Sequence, residues 1–134
     1  MSTILVDNLT GKTSAGSITV TSEGGAATQS LQQGLAKAWA SVDQTGTIAV
    51  DDSINVTSAT DNSTGDYTLN YTSSFSNSNY VLTGAAGDTD YAINYRSVSA
   101  FPPTTSTTRV GVNNMSAGTS VDNYGYTTIH GDLA

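Results

Sequence analysis

Asp61-Asn62-Ser63-Thr64-Gly65-Asp66-Tyr67-Thr68-Leu69-Asn70-Tyr71 sets a turn signal directly before a strand signal. In the first five residues, Asp and Asn bond nearby backbone groups and Gly supplies a left-handed conformation, so the chain reverses. In the next six, Tyr67, Leu69 and Tyr71 alternate with Asp66, Thr68 and Asn70. That is the period of a strand with one face in a core and the other in water.

The same alternation and punctuation recur on both sides. Upstream, Ile48, Val50, Ile54 and Val56 share parity but are interrupted by Asp51, Asp52 and Ser53. This predicts two strands around a turn, or one bulged strand. Before the Gln44-Thr45-Gly46 turn, Leu35, Lys37 and Trp39 alternate with Ala36, Ala38 and Ala40. Downstream, a loop over residues 73–79 carries Phe75 as an anchor, and residues 80–86 form a further strand. Residues 87–90 then turn the chain, and Tyr91, Ile93 and Tyr95 resume the alternation. Pro102 and Pro103 make an irregular connection, because neither can donate to a ladder. Val110 and Val112 share one face of a strand over residues 107–112, residues 113–123 are loop-like, and residues 124–131 form the last strand. One strand per roughly ten residues is the signature of a sandwich or barrel. The expectation is an all-β, antiparallel β-sandwich, jelly-roll-like, over residues 34–134.

Residues 1–33 read differently. Ile4-Leu5-Val6 is a short apolar run, Ile18 and Val20 alternate with Ser and Thr, and Gly24-Gly25 breaks the chain. Ala26–Gln33 is predicted as a short helix stopped by Gly34, too short to be stable alone. The segment is expected to be an extended docking arm that needs a partner surface.

Composition narrows the function. The chain is 37% hydrophobic and 11% charged, with 13 Gly, 7 Tyr and a formal charge of −7. Such a surface repels nucleic-acid phosphate and an anionic bilayer, and no apolar stretch predicts membrane insertion. With no cysteine, disulfides and thiolate sites are excluded. No basic segment followed by a long apolar stretch opens the chain, so folding in a cytosol is expected.

The titratable residues give no catalytic constellation. Asp51-Asp52 and Asp88-Thr89-Asp90 are the closest acid pairs, but Asp beside Gly, Asn or Ser is ordinary turn chemistry. An Asp-x-Asp spacing alone does not make a calcium cage. His130 is the sole histidine, so neither a triad with a Gly-x-Ser-x-Gly elbow nor a multi-imidazole metal site is available. No enzyme activity, cofactor or metal is expected. Leu35, Trp39, Tyr67, Tyr71 and His130 are the candidates for core or subunit-interface packing, and Trp39, the only tryptophan, is expected to anchor the sandwich or the interface. Tyr124 and Tyr126, separated by Gly125, are the candidates for a surface that stacks on sugar. Five Asn-x-Ser/Thr triplets, at Asn8, Asn55, Asn62, Asn70 and Asn114, match the chance expectation for this composition.

Two stretches carry a likeness to known proteins: Leu31-Gln32-Gln33-Gly34-Leu35-Ala36-Lys37-Ala38-Trp39, and GTIAVDDSINVTSATDNSTGDYTLNY over residues 46–71. They resemble a family of tailed-phage fibre and virion structural modules abundant in aquatic and cyanobacterial phages. The leader Val6-Asp7-Asn8-Leu9-Thr10-Gly11 and the closing Thr127-Thr128-Ile129-His130-Gly131-Asp132 fit the same pattern, with His130 where the family carries an apolar residue. The resemblance implies a β-sandwich, a homotrimer and a virion protein made in the host cytoplasm, and it supplies no catalytic residues. The expected function is a subunit of a small trimeric neck or tail fibre or knob, contacting other virion proteins and host surface glycans. The alternative is a trimeric capsid decoration protein that stabilises the shell.

Overall fold

The computed structural model describes residues 3–14, 17–87 and 96–134. The expected strand at Tyr91, Ile93 and Tyr95 and the Asp88-Thr89-Asp90 turn lie outside the described residues. The chain divides into two compact units, Met1–Leu35 and Ala36–Ala134.

In the first unit, β1 (Thr19–Thr21) pairs antiparallel with β2 (Thr28–Ser30). The Gly25 N–H donates to the Ser22 carbonyl at 2.8 Å, with Gly25 at φ 70°, and this closes the hairpin turn. A single helical turn follows, α1 (Leu31–Gly34), capped by the Ser30 hydroxyl, which accepts from the Gln33 N–H. The helix expected over Ala26–Gln33 is therefore cut to its last turn. Thr28, Gln29 and Ser30 gain ladder partners in Thr21, Val20 and Thr19, and Ser30 then serves as the N-cap that fixes the later start. None of the described residues in this unit is buried.

The second unit is an all-β sandwich. Its strands are β3 (Ala38–Asp43), β4 (Ala49–Ile54), β5 (Val56–Ser63), β6 (Asp66–Tyr71), β7 (Val81–Ala86), β8 (Arg96–Ala100), β9 (Thr107–Asn114), β10 (Thr119–Ser120) and β11 (Gly125–His130). One sheet runs β4-β3-β11-β7. In the other, β5 pairs β6, β6 pairs β9, and β9 also carries β8 and the short β10. All the pairings are antiparallel.

The segment from Ile48 to Val56 resolves into two strands in different sheets. Ser41 pairs with Asp52 but Val42 with Val50, so Asp51 is a bulge. The extra residue breaks the shared parity of the apolar positions. Val50 and Val56 pack against the core, whereas Ile54 turns outward and is 53% exposed. The crossing between sheets falls at Asn55, which takes φ 56°; its side-chain amide donates to the Ser73 carbonyl, and its amide oxygen accepts from the Ser73 N–H at 2.7 Å. Asn is among the few non-glycine residues that enter this region readily. At the β5–β6 turn, Gly65 has φ 66°, and a Cβ there would lie 2.5 Å from the Val112 carbonyl oxygen. Its N–H donates to the Asp122 carboxylate at 2.6 Å and its carbonyl accepts from the Val112 N–H at 2.7 Å, so the turn is tied to its neighbours.

The core joins Ala38, Ala40 and Val42 of β3 and Ile129 of β11 to Tyr67, Leu69 and Tyr71 of β6, Val110 and Val112 of β9, and Phe75. Bulk comes mainly from β6 and Phe75, and small residues come from the facing sheet. Large residues on one face opposite small ones on the other let the two sheets interdigitate. Phe75 is 2% exposed and its ring lies 4.4 Å from Tyr80 and 5.0 Å from Tyr71, centroid to centroid.

Candidate functional site

The packing candidates divide. Tyr67 is fully buried and Tyr71 nearly so. Burial pushes both phenols above their ordinary pKa, because the low-dielectric core disfavours phenolate; for Tyr71 this outweighs the opposing hydrogen bond from Thr108. Leu35 is 55% exposed and outside the core. Trp39 does not anchor the sandwich either. On β3 it is Ala38, Ala40 and Val42 that face inward, and Trp39 and Ser41 stand half-buried on the outer face. The inward face must leave room for Tyr67, Leu69 and Tyr71, which alanine does and an indole would not. His130, the last residue of β11, is half-buried on the same outer face, opposite Val81.

Strand register assembles this outer face. Trp39 lies opposite Ile54 on one side and Thr128 on the other, and Thr128 lies opposite Thr83. In the next row, Ser41 lies opposite Asp52 and Tyr126, and Tyr126 opposite Ala85. Trp39 and Tyr126 are thus diagonal neighbours, within reach for aromatic side chains. They flank a shallow groove of about 520 Å³ whose other side-chain walls are Ser41, Thr83, Ala85 and Thr128.

Tyr126 is 44% exposed, yet it is held. Its ring stacks on Tyr124 at 6.4 Å with 8° between planes. It also leans over Gly87, where a Cβ would lie 3.1 Å from Tyr126 Cε2. Tyr124 lies near acid: the Asp43 carboxylate, with Asp51 contributing less, raises its phenol pKa. Asp43 is itself held low by hydrogen bonds from the Thr45 hydroxyl at 2.7 Å and the Thr45 N–H at 2.8 Å. The two tyrosines singled out in the sequence therefore do meet. Tyr126 stands beside Trp39, which the sequence points to as a core or subunit-interface residue, and beside Thr83, which it does not single out.

Two further polar features tie described elements together. Arg109 Nε donates to both Asp66 carboxylate oxygens at 2.8 and 3.0 Å, Arg109 Nη2 also donates to Asp66, and the guanidinium lies 4.5 Å from the centre of the Phe101 ring. Asp51 and Asp52 sit at the β4 bulge, where the Asp52 carboxylate accepts from the Ser53 N–H at 2.8 Å. Among the described residues, no group of three or more His, Cys, Asp and Glu side chains is placed to hold a metal ion. No helix among them is long and apolar enough to cross a membrane. No family model, curated protein or solved structure matches the chain.

Proposed function

We propose that this protein is a non-enzymatic structural subunit of a tailed-phage particle, a trimeric neck or tail fibre or knob, in which the N-terminal unit makes contacts between chains. The observation that carries the assembly role is the exposure of apolar side chains in Met1–Leu35: Leu5 90%, Ile4 81%, Val6 60%, Leu9 59%, Leu35 55% and Val20 50%. A unit with no buried described residue has no core to stabilise it, and each such side chain gains about 1.5–3 kcal/mol when a neighbouring chain covers it. The phage assignment rests on the likeness over Leu31–Trp39 and residues 46–71, supported by the sandwich fold and the acidic, cysteine-free composition.

Sedimentation equilibrium tests the assembly. The expected mass is three times the 13.7 kDa chain. Leu5→Asp with Val6→Asp in the full chain should release monomers whose far-ultraviolet spectrum stays β-rich. A wild-type monomer at micromolar concentration counts against the trimer. Quantitative mass spectrometry of purified particles then places the subunit: tens of copies or fewer fit a fibre, and hundreds fit shell decoration.

A further inference from the structure

We propose that the groove between Trp39 and Tyr126 on the outer face of the β4-β3-β11-β7 sheet is a binding site for a neutral oligosaccharide. The proposal deepens the reading of the chain as a non-enzymatic particle-surface module and rests on that reading. A pyranose ring presents an apolar C–H face and a rim of hydroxyls. Its match is an aromatic wall with neutral donors and acceptors beside it. Trp39 and Tyr126 supply two such walls on adjacent strands, and Ser41, Thr83 and Thr128 supply hydroxyls between and beside them. The Tyr126 ring is already set by its stack on Tyr124 and its contact over Gly87, so little order has to be gained on binding.

Charge selects the class of occupant. None of the groove-lining residues is charged, and among the described residues the carboxylates of Asp43 and Asp51 act at the Tyr124 end, with Asp52 opposite Ser41 in the Ser41–Tyr126 row. Carboxylates accept from sugar hydroxyls but repel uronates, sialates and sulfate esters. The same acids oppose self-association across this face. A symmetric contact would set Asp43, Asp51 and Asp52 against their own copies in a chain whose net charge is −7.

Trp39 is the only tryptophan, so its emission reports directly on the groove. The full-length protein is titrated with maltohexaose, cellohexaose, mannohexaose and chitohexaose, and in parallel with hexagalacturonate and sialyllactose. The result expected is a saturable shift or quench of Trp39 emission by at least one neutral oligosaccharide and none by the acidic ones. Tyr126→Ala, an outward-facing position, should weaken that binding about tenfold, the loss of one aromatic stack, while the circular dichroism spectrum stays native. Silence with every neutral sugar, stronger binding of an acidic one, or unchanged affinity in Tyr126→Ala overturns the proposal. So does conversion of the oligomer to monomer by Tyr126→Ala, which would make the face a subunit contact. Sedimentation of the same samples separates the two readings. A trimer that binds no sugar sinks the groove alone, and a monomer that binds sinks the assembly alone.

Discussion

Alkaline pH should unfold this protein through Tyr67 and Tyr71. Both phenols are buried in the sandwich core, and burial holds each above its ordinary pKa of 10.0. In the unfolded chain they ionise near that ordinary value. Above it the unfolded state has released protons that the folded state retains, so stability falls as pH rises. Below it the contribution is complete. Linkage sets the slope at about 1.4 kcal/mol per pH unit for each phenol, or about 2.7 for the pair. Two units above the ordinary value the accumulated loss is about 5 kcal/mol, comparable to the whole stability of a small domain. Urea melts followed by far-ultraviolet circular dichroism from neutral pH upward measure the slope, and phenolate absorbance on the same samples reports ionisation. Tyr67→Phe isolates one contribution, because the Tyr67 hydroxyl has no hydrogen-bond partner among the described residues. The variant should keep its neutral-pH stability or gain slightly, and lose about half the slope. Tyr71→Phe should also halve the slope, but it forfeits the bond to Thr108 and starts about 0.5–1.5 kcal/mol lower. If all 7 tyrosines ionise together near their ordinary pKa while the spectrum stays native, the reasoning fails. It fails equally if Tyr67→Phe keeps the wild-type slope.

At the acid end, the hydrogen bonds from Arg109 hold Asp66 below its ordinary value of 3.8, so its contribution is present above that value and is lost as pH falls through the lower, folded one. Asp66→Asn should flatten that part of the acid limb in urea midpoints taken across it, and an unchanged limb would show that the pair does not couple to folding. Gly125 faces the core where a Cβ would lie 3.2 Å from Tyr67 Cε1 and closer still to its hydroxyl. Gly125→Ala should cost about 1–3 kcal/mol by overpacking, and Tyr67→Phe in the same chain should restore part of it; thermal melts of the three variants would exclude the contact if the two changes simply add.

The strands with clean alternation were legible because composition and period agreed. Tyr67, Leu69 and Tyr71 are inward, and so are Val110 and Val112. Strand β8 escaped notice because Ser97, Ser99 and Ala100 surround a single Val98 and give no apolar period, while its pairing with β9 is made by backbone. The Ile48–Val56 segment was legible as bulged or turned, but not as the crossing between sheets, since that depends on Asn55 holding φ 56° against the Ser73 backbone, which is a long-range fact. Trp39 is the instructive inversion. Size argued for burial, but the rest of β3 spoke the other way. Beyond Trp39 its face continues as Ser41 and Asp43, while the alanine face ends in Val42. Read over six residues, the apolar side is the small one. A core facing Tyr67 from across the sandwich needs that smallness, so the indole is left on the outer face, beside the hydroxyls of Ser41, Thr83 and Thr128. Natural sequences break the agreement between local pattern and fold mainly where another requirement competes. Trp39 and the neighbouring Ile54, both large, apolar and turned away from the core, are where this chain breaks it, and that is the physical ground for seeking its binding chemistry there.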